Sequence, residues 1–190
     1  MKRWLTSLLM LLLLANDASA TTPLPGDSIY HLPVQLTDQD GRQQMLAARR
    51  GRPQLVAMFY TSCTMVCPLI IDSLQLTRNA LDPAIRLRID LLAVSFDPAR
   101  DDVTALRRYA DKRKLDTRFW TLARARPVPV RQLSGVLELQ YRQLPDGEFN
   151  HSSELILLDA DGRIAARTTV IGKLDPAFVK AVRKMVAQPR

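Results

Sequence analysis

The chain has 190 residues, 47% of them hydrophobic and 24% charged, with a formal net charge of +8. Such a length fits one domain with a core of its own. The chain's two cysteines and two histidines include none of the paired CxxC motifs that commonly supply structural zinc or iron–sulfur clusters.

Residues 1–20, MKRWLTSLLMLLLLANDASA, open with Lys2 and Arg3, run apolar from Leu5 to Ala15, and end Ala18, Ser19, Ala20. This is the pattern of a secretory signal peptide. The apolar run falls short of the about 20 residues that cross a bilayer. A soluble, exported, periplasmic protein starting at Thr21 is expected; an uncleaved anchor in the inner membrane is the alternative. No cysteine lies near the cleavage site, so no lipid anchor is expected there. Removing residues 1–20 takes away Lys2, Arg3 and Asp17, and the charge falls from +8 to +7. An exported protein rarely meets nucleic acid, so the excess reads as a solvated basic surface or a docking face for acidic proteins or lipid.

Residues 21–31 read as a flexible lead-in, with two prolines and a glycine in TTPLPGD, and residues 32–190 as one domain. Pro33–Leu46 predicts a hairpin turning at Asp40 and Gly41. Gln54–Tyr60 is an apolar run of strand length, and Ile89–Phe96 is another. Between them Ile70, Ile71, Leu74 and Leu81 recur at helical spacing until Asp82 and Pro83. Pro68 suits the first turn of that helix. Asp101–Leu115 predicts a polar helix, Arg118–Leu122 a short strand and Val128–Leu139 a helix. Glu154–Leu158 and Arg163–Thr168 flank a turn at Asp161 and Gly162. Asp175 and Pro176 then cap a last helix carrying Phe178, Val179, Val182, Met185 and Val186. The expected class is α/β, a mixed sheet with helices on both faces.

Both cysteines fall in FYTSCTMVCPLI, at the turn from strand to helix. Free backbone N–H groups and the positive end of the helix dipole favour thiolate there, so Cys63 and Cys67 should both be acidic. A disulfide between residues four apart closes a very small loop and restrains the unfolded chain little. A redox dithiol and a metal site remain. Cu(I) accepts two or three soft ligands, and Cu(II) accepts thiolate with imidazole. His31 lies in the lead-in and reads as a surface side chain. His151 sits on a loop before the second hairpin, where functional residues concentrate. Met65 could lend a thioether, and Asp97 and Asp101 read first as caps of the following helix.

The chain resembles the Sco/SenC copper chaperones, a thioredoxin-like family, from about Leu32 to Val186. The likeness rests on FYTSCTMVCP for a CxxxCP motif, VSFDPARDDVTALRRYA for a DPxRD stretch, and NHSSELILLDADGRI for a histidine–serine before a strand and D-x-G turn. LTDQDGRQQ fits the family's first hairpin. The resemblance implies a thioredoxin-like three-layer sandwich with an extra N-terminal hairpin, and Cys63, Cys67 and His151 as copper ligands. It also lets Asp97 and Asp101 shape the site. Many members have aspartate where Asn150 stands and proline where Thr64 stands, and neither change removes a ligand. A peroxiredoxin P-x-x-x-T-x-x-C pattern is absent around Cys63.

The implied role is copper delivery to a cuproenzyme, the CuA centre in subunit II of cytochrome c oxidase, after loading by an upstream copper donor. The alternative is a thiol–disulfide oxidoreductase, supplied by a thiol reductant, that uses Cys63 and Cys67 to reduce partner cysteines. No sequence feature indicates an oligomer.

Overall fold

The computed structural model describes residues 23–187, and the export signal read at residues 1–20 lies outside them. Strands β1 (Gln35–Asp38) and β2 (Gln43–Met45) pair as the first hairpin. Asp38 shapes its turn by accepting from the backbone N–H groups of Asp40 and Arg42. β3 (Gln54–Phe59) is buried at every position, as a continuous apolar run requires. Helix α1 (Val66–Asn79) turns Cys67, Ile70, Ile71 and Leu74 into the core, with Pro68 in its first turn.

A single turn, α2 (Pro83–Arg86), leads to β4 (Asp90–Ser95), buried from Leu91 to Ser95. Helix α3 (Val103–Lys112) follows, then β5 (Trp120–Arg124) and α4 (Pro127–Val136). A small hairpin of β6 (Tyr141–Gln143) and β7 (Phe149–His151) stands apart from the main sheet. β8 (Leu155–Leu158), β9 (Ile164–Thr168) and α5 (Pro176–Ala187) complete the domain. Asp175 caps α5, accepting from the N–H groups of Ala177 and Phe178.

The main sheet has seven strands in the order β2-β1-β5-β4-β3-β8-β9. β3 runs parallel to β4, and β4 to β5, while the outer pairs are antiparallel. The fold is the expected mixed α/β sandwich of thioredoxin-like type, with the extra N-terminal hairpin at one edge. Right-handed crossovers place α1 and α3 on one face. Arg113 of α3 ties them, donating to the carbonyl of Pro68 and pairing with Asp72. The centre of the sheet is fully dry: Leu55 faces Leu91 across the pair, and Val56 faces Leu92.

Several boundaries differ from expectation. Residues 28–31 belong to the domain rather than to a free lead-in. Ile29 and Tyr30 are 1% and 3% exposed, in a short 3-10 turn capped by the Ser28 hydroxyl. Ile29 N–H donates to the carbonyl of Gly162, and the Tyr30 ring lies against that turn. A Cβ on Gly162 would stand 2.7 Å from the ring, and its φ of +80° also favours glycine. The helix after the dithiol ends at Asn79, with Leu81 buried beyond it. The fifth strand starts at Trp120, two residues later than read, because the N–H groups of Arg118, Phe119 and Trp120 all turn back to Asp116.

Candidate metal centre

β3 delivers the chain to the dithiol loop, and one buried carboxylate holds that loop in place. Asp101, wholly buried, accepts from the N–H and hydroxyl of Thr61 and from the hydroxyl of Ser95. It thus joins the start of the loop to the end of β4. Burial pushes its carboxyl above the ordinary range, and the Ser95 and Thr61 hydrogen bonds pull only part of the way back. Asp101 therefore shapes the site and caps nothing; the cap of α3 is Asp102, which accepts from Ala105 N–H at 2.7 Å. Asp97 also departs from the capping role, pairing instead with Arg100.

Cys63 lies in the loop and Cys67 at the second position of α1, both buried. The N–H of Cys67 points at Cys63 Sγ from 3.4 Å. Burial works against ionising Cys63, but donors from Cys67 and Met65 outweigh it and hold the thiol below its usual value. Cys67 goes the other way. It is 0% exposed, and burial beside Cys63 pushes its thiol well above the ordinary range. The expectation of two acidic thiols thus holds for Cys63 alone; desolvation overrides the helix start at Cys67.

His151 is the last residue of β7, not a loop residue, and stands opposite Tyr141 in the hairpin. Its Nδ1 lies 2.9 Å from the carbonyl of Ser152, which can only accept, so Nδ1 carries the proton. Nε2, on the other side of the ring, faces Cys67 Sγ at 3.8 Å. An ion bonded at about 2.0–2.3 Å to nitrogen and sulfur in a trigonal plane holds such atoms about 3.8 Å apart. One ligand atom from each of Cys63, Cys67 and His151 lies within 4.8 Å of the other two. Two sulfurs and one imidazole are a donor set for copper in either common state, and the trio can close on one ion with small movements.

Aromatic rings wall the imidazole. Phe96 lies 4.9 Å from it and Tyr60 meets it edge-on at 6.0 Å, while Tyr141 stacks on Phe96. The far end of the hairpin is tied down as well. Arg100 donates to the carbonyl of Gly147 at 2.6 Å, and Tyr60 donates to Glu148 at 2.7 Å. Gly147 turns the hairpin at a φ of +85°.

Other residues considered from the sequence lie elsewhere. Met65 is 82% exposed, and His31 is exposed and bonded to the carbonyl of Pro25. Asn150 is exposed, on the opposite side of its strand from His151. Sequence reading missed Tyr60, Phe96, Arg100 and the hairpin itself. The run Pro145, Asp146, Gly147 between Tyr141 and Phe149 is a turn signal that would have found the hairpin.

Residues 24–187 match the family model described as SCO1/SenC. The mitochondrial protein SCO2 of Saccharomyces cerevisiae is 30% identical over 95 residues, 50% of this chain and 30% of the yeast protein. Among solved structures, Bradyrhizobium japonicum ScoI with copper bound has a TM-score of 0.65 at 23% identity, covering 80% of this chain and 97% of that one. BsSco, reported to contain a disulfide switch and to be a member of the Sco family of cytochrome c oxidase assembly proteins, has a TM-score of 0.69 at 19% identity. That match covers 83% of this chain and 94% of BsSco.

Proposed function

This chain belongs to the SCO1/SenC family, and from that premise we propose that it binds copper and delivers it to a cuproenzyme. The observation that carries the proposal is the convergence of Cys63, Cys67 and His151 to within 4.8 Å. The copper-bound state of the Bradyrhizobium relative supports copper as the metal, and the family description of BsSco supports cytochrome c oxidase as the destination. The recipient is the CuA centre of subunit II. Export to the periplasm, through residues 1–20, would bring the chain to that side of the membrane. Transfer would proceed by ligand exchange: Cys63 and Cys67 would hold the ion as thiolates, His151 would complete the site, and recipient ligands would replace them one at a time. The alternative role, reduction of partner cysteines, is favoured by the unequal thiols, one acidified and one kept protonated.

Anaerobic titration of reduced protein separates the two. Wild type should hold about one copper per chain, as two thiolates and an imidazole allow. His151→Ala should lose most Cu(II) affinity and keep its dithiol reactivity, whereas Cys63→Ser and Cys67→Ser should lose both. Wild-type binding of both oxidation states by His151→Ala would overturn the ligand assignment. Full oxidase assembly in cells by a His151→Ala protein that binds copper poorly would replace delivery with the reductase role.

A further inference from the structure

A cleft of about 720 Å³ opens between the dithiol loop and α3, and of the three clustered ligand residues only Cys63 lines it. His151 lines a different hollow, beside Tyr141 and Arg142. Cys63 can therefore be approached from the α3 side without moving the hairpin.

The cleft is built for an anion. Arg108 and Lys112 both line it, one helical turn apart on α3, and both are exposed. Their neighbours Arg107 and Arg113 pair with Asp40 and Asp72. Arg108 and Lys112 form no ion pair among the described residues. Like charges four residues apart on a helix repel, so this pair is a local cost that a bound anion would relieve. Tyr109 also lines the cleft; it is buried, and its hydroxyl has no hydrogen-bond partner among the described residues. The volume is that of a small-molecule site rather than of a protein interface.

We propose that this cleft is the entry site for a small carboxylate-bearing thiol that carries Cu(I), its carboxylate held by Arg108 and Lys112 and its copper presented to Cys63. The inference rests on the copper-binding role proposed above. Cu(I) travels on soft donors, and a thiol carrier with a carboxylate satisfies both the metal and the two unpaired cations. In the transfer step a bond forms between copper and Cys63 Sγ while the bond from copper to the carrier's sulfur breaks. The proton that Cys63 gives up passes to the departing thiolate. Copper stays Cu(I) throughout, so the step needs neither oxidant nor reductant.

The test compares two carriers with the same thiol: glutathione, whose carboxylates are free, and its diethyl ester, whose carboxylates are masked. Reduced full-length protein is mixed anaerobically with the Cu(I) complex of each, and the loading rate is followed by stopped-flow absorption. The glutathione-to-ester rate ratio should fall about fivefold in Arg108→Gln/Lys112→Gln, as the loss of two exposed charge contacts implies. Equilibrium copper content should not change, and the wild-type ratio should shrink as salt is raised. An unchanged ratio in the variant, with both proteins binding copper, overturns the entry site. An equal slowing of both carriers overturns it too, since that would mark a general effect on Cys63. If wild type takes up no copper from either carrier or at equilibrium, the copper-binding role itself fails and this inference falls with it.

Discussion

β3, which leads into the dithiol loop, and its neighbour β4 are buried through most of their length, whereas the hairpin that ends at His151 is half exposed and belongs to a separate two-stranded sheet. β3 has a paired strand on each side and α1 packed against it. The β6–β7 hairpin has one partner strand per strand, a ring cluster and the tie through Arg100, Gly147, Glu148 and Tyr60. The two sulfurs therefore sit at the end of a strand buried at every position, Cys67 on the helix packed against it and Cys63 in the loop between them. The nitrogen sits on an element that can loosen by itself, because local stability follows buried apolar contact. A site divided in this way keeps its cysteines close together while its histidine can be withdrawn.

The most severe break in that contrast is Leu92→Ala, in the middle of β4. Truncating so fully buried a leucine should cost about 2–5 kcal/mol in denaturant unfolding. Copper affinity per folded chain should stay unchanged, and a loss of affinity matching the loss of stability would show that scaffold and site are not separable.

A gentler probe is pH. Cys67 is raised in the fold, so its stabilising contribution is complete below the unfolded thiol value of about 8.5 and is lost as pH rises beyond it. Cys63 is lowered, so its contribution is lost in the opposite direction, as pH falls through its folded value. Reduced, metal-free protein should thus lose stability between about pH 8.5 and 9.5, by at most about 1.4 kcal/mol per pH unit for one proton. Urea midpoints across that range check it, and Cys67→Ser should flatten the slope; an equal slope in that variant would assign the loss to another group.

The smallest effect on global stability should come from Arg100→Ala, which cuts the hairpin's outer tie. Arg100 is 39% exposed in its pair with Asp97, so the cost should stay below about 1 kcal/mol. Amide exchange across residues 141–151 should nevertheless quicken by up to about fivefold, the factor that about 1 kcal/mol of local opening represents. Unchanged exchange there would show that the aromatic cluster alone holds the hairpin.

What could be read from the sequence follows the same division. The buried strands announce themselves as apolar runs, and α1, α3 and α5 as helical spacing, because solvent exclusion leaves a periodic trace. The motif around Cys63 and Cys67 is contiguous, so it was legible as a unit. His151 was found as a residue and misplaced as a loop, since three-residue strands with mixed exposure leave almost no alternation to read. The roles of Asp101 and Asp102 exchange at a single step along the chain. Either could cap α3 by composition, and only the position of Thr61 and Ser95 shows which carboxylate turns inward. The split between the two thiols was likewise hidden, because helix position is a sequence property and depth of burial is not.

The docking of Ser28, Ile29 and Tyr30 against the β8–β9 turn also sets an order of events in time. The Ser28 hydroxyl bonds to the carbonyl of Asp161, 133 residues further along. At about 5–20 residues per second, a ribosome leaves the first segment of this domain without its partner for roughly 7 to 27 seconds. The earliest residues made are among the last to be seated, and until they are, the domain remains open at that edge of its sheet.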